Sequence, residues 1–175
     1  MIDYGELIIN YHSKSFGLKI MALEIERKFL IKGDNWRCLA LGKIYRQGYI
    51  ITENKVTTIR VRIVGENAYL TIKGKVEGIT RSEFEYPIPL EDATMMLENL
   101  CDSPLIEKIR YRIPVKDLVW EVDEFKGENE GLILAEVELT NENQLIELPE
   151  WVGEEVTQDF KYYNVNLSKN PYQLW

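Results

Sequence analysis

At 175 residues, 45% of them hydrophobic and 29% charged, the chain has the size and balance of one ordinary soluble domain, able to bury a core without disulfides or a structural metal. Its formal net charge of -8 speaks against a general binder of nucleic acid or anionic membrane, which needs a basic face. The single histidine, His12, lies in the N-terminal stretch, so serine–histidine triads, HExxH zinc sites and histidine phosphotransfer have no histidine to work with in the body of the chain.

Cys38 and Cys101 form neither a CxxC pair nor a metal-finger spacing and read as incidental thiols of a reduced chain. No stretch approaches the ~20 consecutive apolar residues of a membrane helix, and the N-terminus lacks the basic-then-apolar order of a signal peptide. The cytoplasm is the compartment expected by elimination.

Met1 to Ile20 mixes apolar and polar types without a sustained period and reads as an N-terminal extension, with residues 21–175 as one domain. From Ala22 onward, short runs rich in Ile, Val, Thr, Tyr and Leu alternate with turn residues, as antiparallel strands do. The pattern predicts eight strands, at Leu23–Ile31, Lys43–Ile51, Thr57–Val64, Ala68–Gly74, Thr80–Pro87, Leu105–Ile113, Leu118–Phe125 and Gly131–Leu139. Val64-Gly65-Glu66-Asn67 carries hairpin-turn residues. Between the fifth and sixth strands, Pro89–Leu100 predicts a helix burying Ala93, Met96, Leu97 and Leu100. Shorter helical turns are expected at Asp34–Leu41, Asn141–Glu147 and Thr157–Asn166. Together these predict a mainly β (α+β) fold: an eight-stranded antiparallel closed β-barrel with a few peripheral helices, closure removing unpaired edges.

Charged residues recur at spacing two on strand after strand, which places them on a shared face. Glu24, Glu26 and Lys28 lead, followed by Arg60 and Arg62, then Lys73, then Arg81, Glu83 and Glu85. Lys108, Arg110 and Arg112, then Glu121 and Asp123, and finally Glu136 and Glu138 complete the series. A solvated face explains any one pair. The set is harder to explain that way, because like charges in neighbouring positions cost stability unless opposite charge sits between them. Hard divalent cations such as Mg²⁺ or Mn²⁺ suit Glu24, Glu26, Glu136 and Glu138, and guanidinium and ammonium groups suit phosphate oxygens.

These residues resemble the CYTH, or triphosphate tunnel metalloenzyme, family, whose mark is an N-terminal Glu-x-Glu-x-Lys, here Glu24-Ile25-Glu26-Arg27-Lys28. The order of later elements strengthens the likeness: Arg46-Gln47-Gly48-Tyr49, Arg60-Val61-Arg62, Thr71-Ile72-Lys73, Glu83-Phe84-Glu85, Glu107-Lys108-Ile109-Arg110-Tyr111, Glu121-Val122-Asp123 and Glu136-Val137-Glu138. Glu154-Glu155-Val156-Thr157 followed by Lys161-Tyr162 resembles the short bacterial members, so the likeness runs from Ala22 to about Asn166.

The resemblance implies a tunnel lined by acids and bases that admits a linear triphosphate. It implies Glu24, Glu26, Glu136 and Glu138 as metal ligands, assisted by Asp123 and Glu121. Lys28, Arg60, Arg62, Lys73, Arg81, Lys108, Arg110 and Lys161 would bind phosphate, with Glu83 and Glu85 orienting the bases. The activity implied is metal-dependent hydrolysis of inorganic triphosphate, with Mg²⁺ or Mn²⁺ as cofactor. Class IV adenylate cyclase, thiamine or nucleoside triphosphatase, and non-catalytic polyphosphate binding stay open as alternatives. A small triphosphate is the expected partner, nucleic acid and membrane are not, and a homodimer is open beside a monomer. Lys108, crowded by Arg110, Arg62 and Lys73, is expected to have a lowered pKa and to act as general base, directly or through Tyr49.

Overall fold

The computed structural model describes residues 25–51, 57–74, 83–141 and 143–175. Its strands are β1 (Ile25–Ile31), β2 (Gly42–Ile50), β3 (Thr58–Val64), β4 (Asn67–Lys73), β5 (Glu83–Ile88), β6 (Ile106–Val115), β7 (Leu118–Lys126), β8 (Ile133–Leu139) and β9 (Val152–Glu155). All ladders are antiparallel, and the strands form one sheet in the order β5-β4-β3-β2-β6-β7-β8-β1-β9. The fold is therefore mainly antiparallel β with few helices.

Among the described residues the sheet has nine strands where eight were expected, and no ladder among them joins its end strands β5 and β9, so the hydrogen bonds described form an open sheet. The ninth strand, Val-Gly-Glu-Glu, carries no apolar alternation, and it forms because the edge of β1 receives it. Gly153 makes the approach possible: a Cβ there would stand 2.8 Å from the Leu30 carbonyl oxygen. Arg27 on β1 then grips Glu155 on β9 through Nε–Oε1 at 2.9 Å and Nη2–Oε2 at 2.5 Å.

The helix expected at Pro89–Leu100 is α1 (Leu90–Asn99), and Thr157–Asn166 holds a 3-10 turn (Phe160–Tyr162) and the start of α2 (Asn164–Leu167). Asp34–Leu41 contains a 3-10 turn, Asn35–Cys38. Asn141–Glu147 contains no helix among its described residues, because only Ile146 finds the core while Leu145 stays in solvent. Gly65 takes φ +58° in the β3–β4 hairpin, the turn geometry that the Gly-Glu pair favours. No helix among the described residues is long and apolar enough to cross a membrane.

The pleat puts most of the apolar core outside the sheet and most of the charge inside. Phe29, Ile113, Trp120, Val122, Ala135 and Val137 alternate with the charged positions and pack beneath Trp36 and Trp151. On the other half, Val61 and Ala68 pack on Ala93 and Leu97 of α1. Gly48 is needed here, since a Cβ would lie 2.6 Å from that of Cys101. The inner face turns apolar only at one end: Ile106, Phe125 and Leu134 share it with Lys108, Asp123 and Glu136, and are covered by Val156, Tyr162 and Leu167. A charged cavity thus stands on a hydrophobic floor supplied by the C-terminal segment.

Candidate active site

The inner face encloses a cavity of about 950 Å³, lined by charged and polar residues from eight strands together with Thr157, Tyr163, Asn164 and Val165. One wall comes from β1, β6, β7 and β8. There the Lys28 ammonium lies between the carboxylates of Glu26 and Glu136, donating to both. Arg110 donates to Asp123 through Nε at 2.6 Å and Nη2 at 2.5 Å, to Glu136 at 2.7 Å, and to Glu121. Lys108 Nζ meets Asp123 Oδ2 at 2.5 Å, and Arg112 Nε lies 3.1 Å from Glu121. Register explains the pairing: Lys28 faces Glu136, Arg110 faces Asp123 and Arg112 faces Glu121 across adjacent strands.

Two pairs of carboxylates stand directly opposite each other, Glu26 and Glu138 on β1 and β8, and Glu121 and Glu136 on β7 and β8. Like charges in that position are unfavourable unless a cation lies between them. Burial and the neighbouring Glu136 raise the Glu26 carboxyl to about 7, against the pull of Lys28. Glu136 goes the other way: burial would raise it, but Lys28, Arg110 and Lys108 outweigh burial and hold it well below the ordinary carboxylate value. Lys28 is likewise raised, because Glu136 and Glu26 more than offset its burial.

The opposite wall is β3, β4 and β5. Arg62 Nη2 donates to Glu85 Oε2 at 2.8 Å, Arg60 Nη2 donates to Thr71 Oγ1 at 3.2 Å, and Lys73 Nζ lies 3.0 Å from Glu83. The Nε atoms of Arg60 and Arg62 are buried and have no hydrogen-bond partner among the described residues. Buried N–H groups are costly to leave unmade. Burial and the adjacent Arg62 lower Arg60 below the usual guanidinium value.

Lys108 sits at 2% exposure with its ammonium on Asp123, and burial and Arg110 push its pKa down despite Asp123 and Glu136. The direction matches the sequence-based expectation, and Arg110 is the cation chiefly responsible rather than Arg62 or Lys73. Burial raises the Tyr49 phenol, although Arg60 and Arg62 pull it down. Its oxygen accepts from Gln47 Nε2 at 2.8 Å, which leaves the phenolic proton to be donated.

The structure brings Glu26, Lys28, Tyr49, Arg60, Arg62, Lys73, Lys108, Arg110, Glu136 and Glu138 to one cavity, as the sequence pattern predicts. Asp123 belongs to the same network but is fully buried beneath the cavity surface, its oxygens taken by Lys108 and Arg110. Lys161 is elsewhere, with its ammonium over the rings of Tyr162 and Trp175 at 4.9 and 4.6 Å. Glu24 and Arg81 lie outside the described residues. Among the described residues no three acidic groups converge into a ready-made metal site.

The sequence motifs include Gln47, Thr71 and Thr157 without giving them a role, and the lining residue Tyr163 is absent from them. A signal existed for the first two: Tyr45-x-Gln47-x-Tyr49 and Tyr69-x-Thr71-x-Lys73 carry polar groups at the same spacing of two as the charges.

A cupped antiparallel sheet thus gathers carboxylates, lysines and arginines from both walls on one inner face. The chain belongs to the CYTH family, whose domain matches residues 22–170. It is 51% identical to an inorganic triphosphatase of Acetivibrio thermocellus over 87% of this chain and 97% of that protein. An inorganic triphosphatase of Nitrosomonas europaea is 34% identical over 83% and 96%. The crystal structure of the inorganic triphosphatase NE1496 superposes with a TM-score of 0.62, at 32% identity over 83% of this chain and 93% of that one.

Proposed function

We infer that this protein hydrolyses inorganic triphosphate to pyrophosphate and phosphate with the help of a divalent cation. The observation that carries this reading is the gathering of carboxylates, lysines and arginines in one cavity, in a chain whose relatives, covered almost end to end, are inorganic triphosphatases. On this reading Arg60, Arg62, Lys73, Arg110 and Lys28 hold phosphate oxygens, as fixed cations neutralise charge in phosphoryl transfer. Arg81 would add to that set. Tyr49 donates its phenolic proton to a phosphate oxygen.

The donor set offered to a cation is made of carboxylate oxygens only, from Glu26, Glu136 and Glu138, which is the chemistry that Mg²⁺ or Mn²⁺ prefers. Glu24 would join them. When bound, such an ion supplies charge neutralisation of the phosphates and a more acidic water. Glu26 and Glu136, which now hold the Lys28 ammonium, would be among the residues to hold the ion, and Asp123 keeps Arg110 and Lys108 in place from below. Lys108, with its lowered proton affinity, serves as the base that accepts a proton from the attacking water. The cytoplasm is the compartment this reading favours.

The test is phosphate release from inorganic triphosphate, ATP, thiamine triphosphate and pyrophosphate, with and without Mg²⁺ or Mn²⁺. Inorganic triphosphate is expected to be cleaved fastest, and only with metal. Cyclic AMP as the main product from ATP, or binding of triphosphate with no cleavage of any substrate, would overturn the reading.

A further inference from the structure

Thr71 is fully buried, carries no charge and does not line the cavity, yet its hydroxyl bonds two charged groups, Arg60 and Glu85. It lies at the centre of one cross-strand row, in which Arg60 on β3 faces Thr71 on β4 and Thr71 faces Glu85 on β5. Its hydroxyl has one proton, donated to Glu85 Oε2 at 2.8 Å. Its lone pair is then left for Arg60 Nη2, which donates to it at 3.2 Å. The same Glu85 oxygen receives Arg62 Nη2 at 2.8 Å and lies 3.5 Å from Arg60 Nη2.

The direction of this chain is fixed by chemistry. An ionised carboxylate can only accept, and a guanidinium can only donate, so a hydroxyl between them must point its proton at the carboxylate. Glu85 is held ionised: burial raises its carboxyl, but the Thr71 hydroxyl, Arg62 and Arg60 outweigh burial and leave it below the ordinary value. Arg60 and Arg62 share one strand face two residues apart and repel each other. Without an anchor each would turn away, and with one each spends a single Nη2 on the wall. Their buried Nε groups remain without a partner among the described residues.

We propose that Thr71 is a positioning residue that, together with Glu85, locks Arg60 and Arg62 into a rigid pair whose remaining N–H groups receive the phosphate chain. The proposal deepens the triphosphatase reading and rests on it for the identity of the anion. Thr71 touches neither the anion nor any reacting atom; it acts through Arg60 and Glu85. Its removal therefore weakens ground-state and transition-state binding alike.

The experiment compares Thr71→Val, Thr71→Ser and wild type by steady-state kinetics and by calorimetric titration with inorganic triphosphate, pyrophosphate and ATP. Val keeps the shape and loses both hydrogen bonds, so KM and the dissociation constant for triphosphate should rise about tenfold, the loss expected for charge-assisted hydrogen bonds. The change in kcat should be much smaller, and Ser, which keeps the hydroxyl, should restore near-wild-type values. Thr71→Ala is read in the same way should Val fail to fold. Unchanged anion affinity in the folded Val or Ala variant would overturn the proposal. So would a Ser variant as weak as Val, which would assign the role to the methyl group. A wild type that binds these anions but cleaves none defeats the triphosphatase reading alone, because the affinity comparison still decides the role of Thr71. A wild type that binds none of them overturns both.

Discussion

The two walls of the cavity carry the same residue types and use them in opposite ways. On β1, β6, β7 and β8, acids and bases are paired with one another: Lys28 with Glu26 and Glu136, Lys108 with Asp123, and Arg110 with three carboxylates. On β3, β4 and β5, the arginines are each anchored through Nη2, and among the described residues their buried Nε donors find no partner. A wall whose charges satisfy one another stores carboxylates that a stronger cation can claim. A wall with unmatched donors waits for an anion. Metal affinity should therefore depend on the carboxylates of the first wall, while Arg60 and Arg62 of the second should serve the phosphate and not the metal.

The largest effect is expected for Glu136, the carboxylate shared by Lys28 and Arg110. Glu136→Gln should lower kcat for triphosphate on the order of 10²-fold or more, as loss of a preorganised charge does. A rate within a few-fold of wild type at saturating Mn²⁺ would remove Glu136 from the metal wall. Arg62→Ala, on the other wall, should cost about 10²-fold in kcat/KM. That loss should persist at any metal concentration, which a metal titration of the rate would reveal.

Asp123 separates stability from catalysis. Its carboxylate is fully buried against Lys108 and Arg110, so Asp123→Ala takes the hydrogen-bonded carboxylate from the buried Lys108 ammonium and one of three from Arg110, and should cost about 3–5 kcal/mol in denaturant unfolding. Unfolding at wild-type denaturant concentration would show that the network does not need it.

Lys108 provides a pH test. Its folded pKa is lowered, so its neutral, proton-accepting form grows as pH rises through that value. The wild-type kcat should climb on the alkaline side, and Lys108→Ala should lower kcat and abolish the climb. A raised KM with an unchanged kcat profile would make Lys108 a binding residue only.

A smaller effect lies outside the cavity. The hydrogen bond from Arg27 lowers the Glu155 carboxyl below its ordinary value. A carboxylate with a depressed folded pKa contributes stability that is complete above the unfolded value, ~4.3, and fades as pH falls through the folded one. Glu155→Gln should flatten the acid loss of stability slightly, measured as unfolding midpoint against pH. A chain starting at Met21 should match wild type in folding and rate, and failure of either would make residues 1–20 structural.

Much of this was legible in the sequence because a strand obeys a period of two. Charges at Glu26 and Lys28, Arg60 and Arg62, Lys108 and Arg110, and Glu136 and Glu138 had to share a face once the strands formed. Eight strands followed from the same alternation, and α1 from the helical spacing of Ala93, Met96 and Leu97. The pattern does not set depth along a strand, and so Asp123 was expected in the cavity although Lys108 and Arg110 cover it. Nor could it place Lys161, whose ammonium settles on Tyr162 and Trp175, contacts that arise only when the C-terminal segment folds back. The β9 strand was missed because its pairing is dictated by Gly153 and the Arg27–Glu155 contact, neither of which has a periodic signature.

The division of labour between the walls is tested most directly by calorimetric titration of Mn²⁺ into wild type, Glu138→Gln and Arg62→Ala in the absence of phosphate. Glu138 is exposed in the cavity and faces Glu26, so its neutralisation should weaken Mn²⁺ binding about tenfold or more without disturbing the fold, while Arg62→Ala should bind Mn²⁺ as wild type does. Equal Mn²⁺ affinity in wild type and Glu138→Gln, or an equal loss in both variants, would contradict the account.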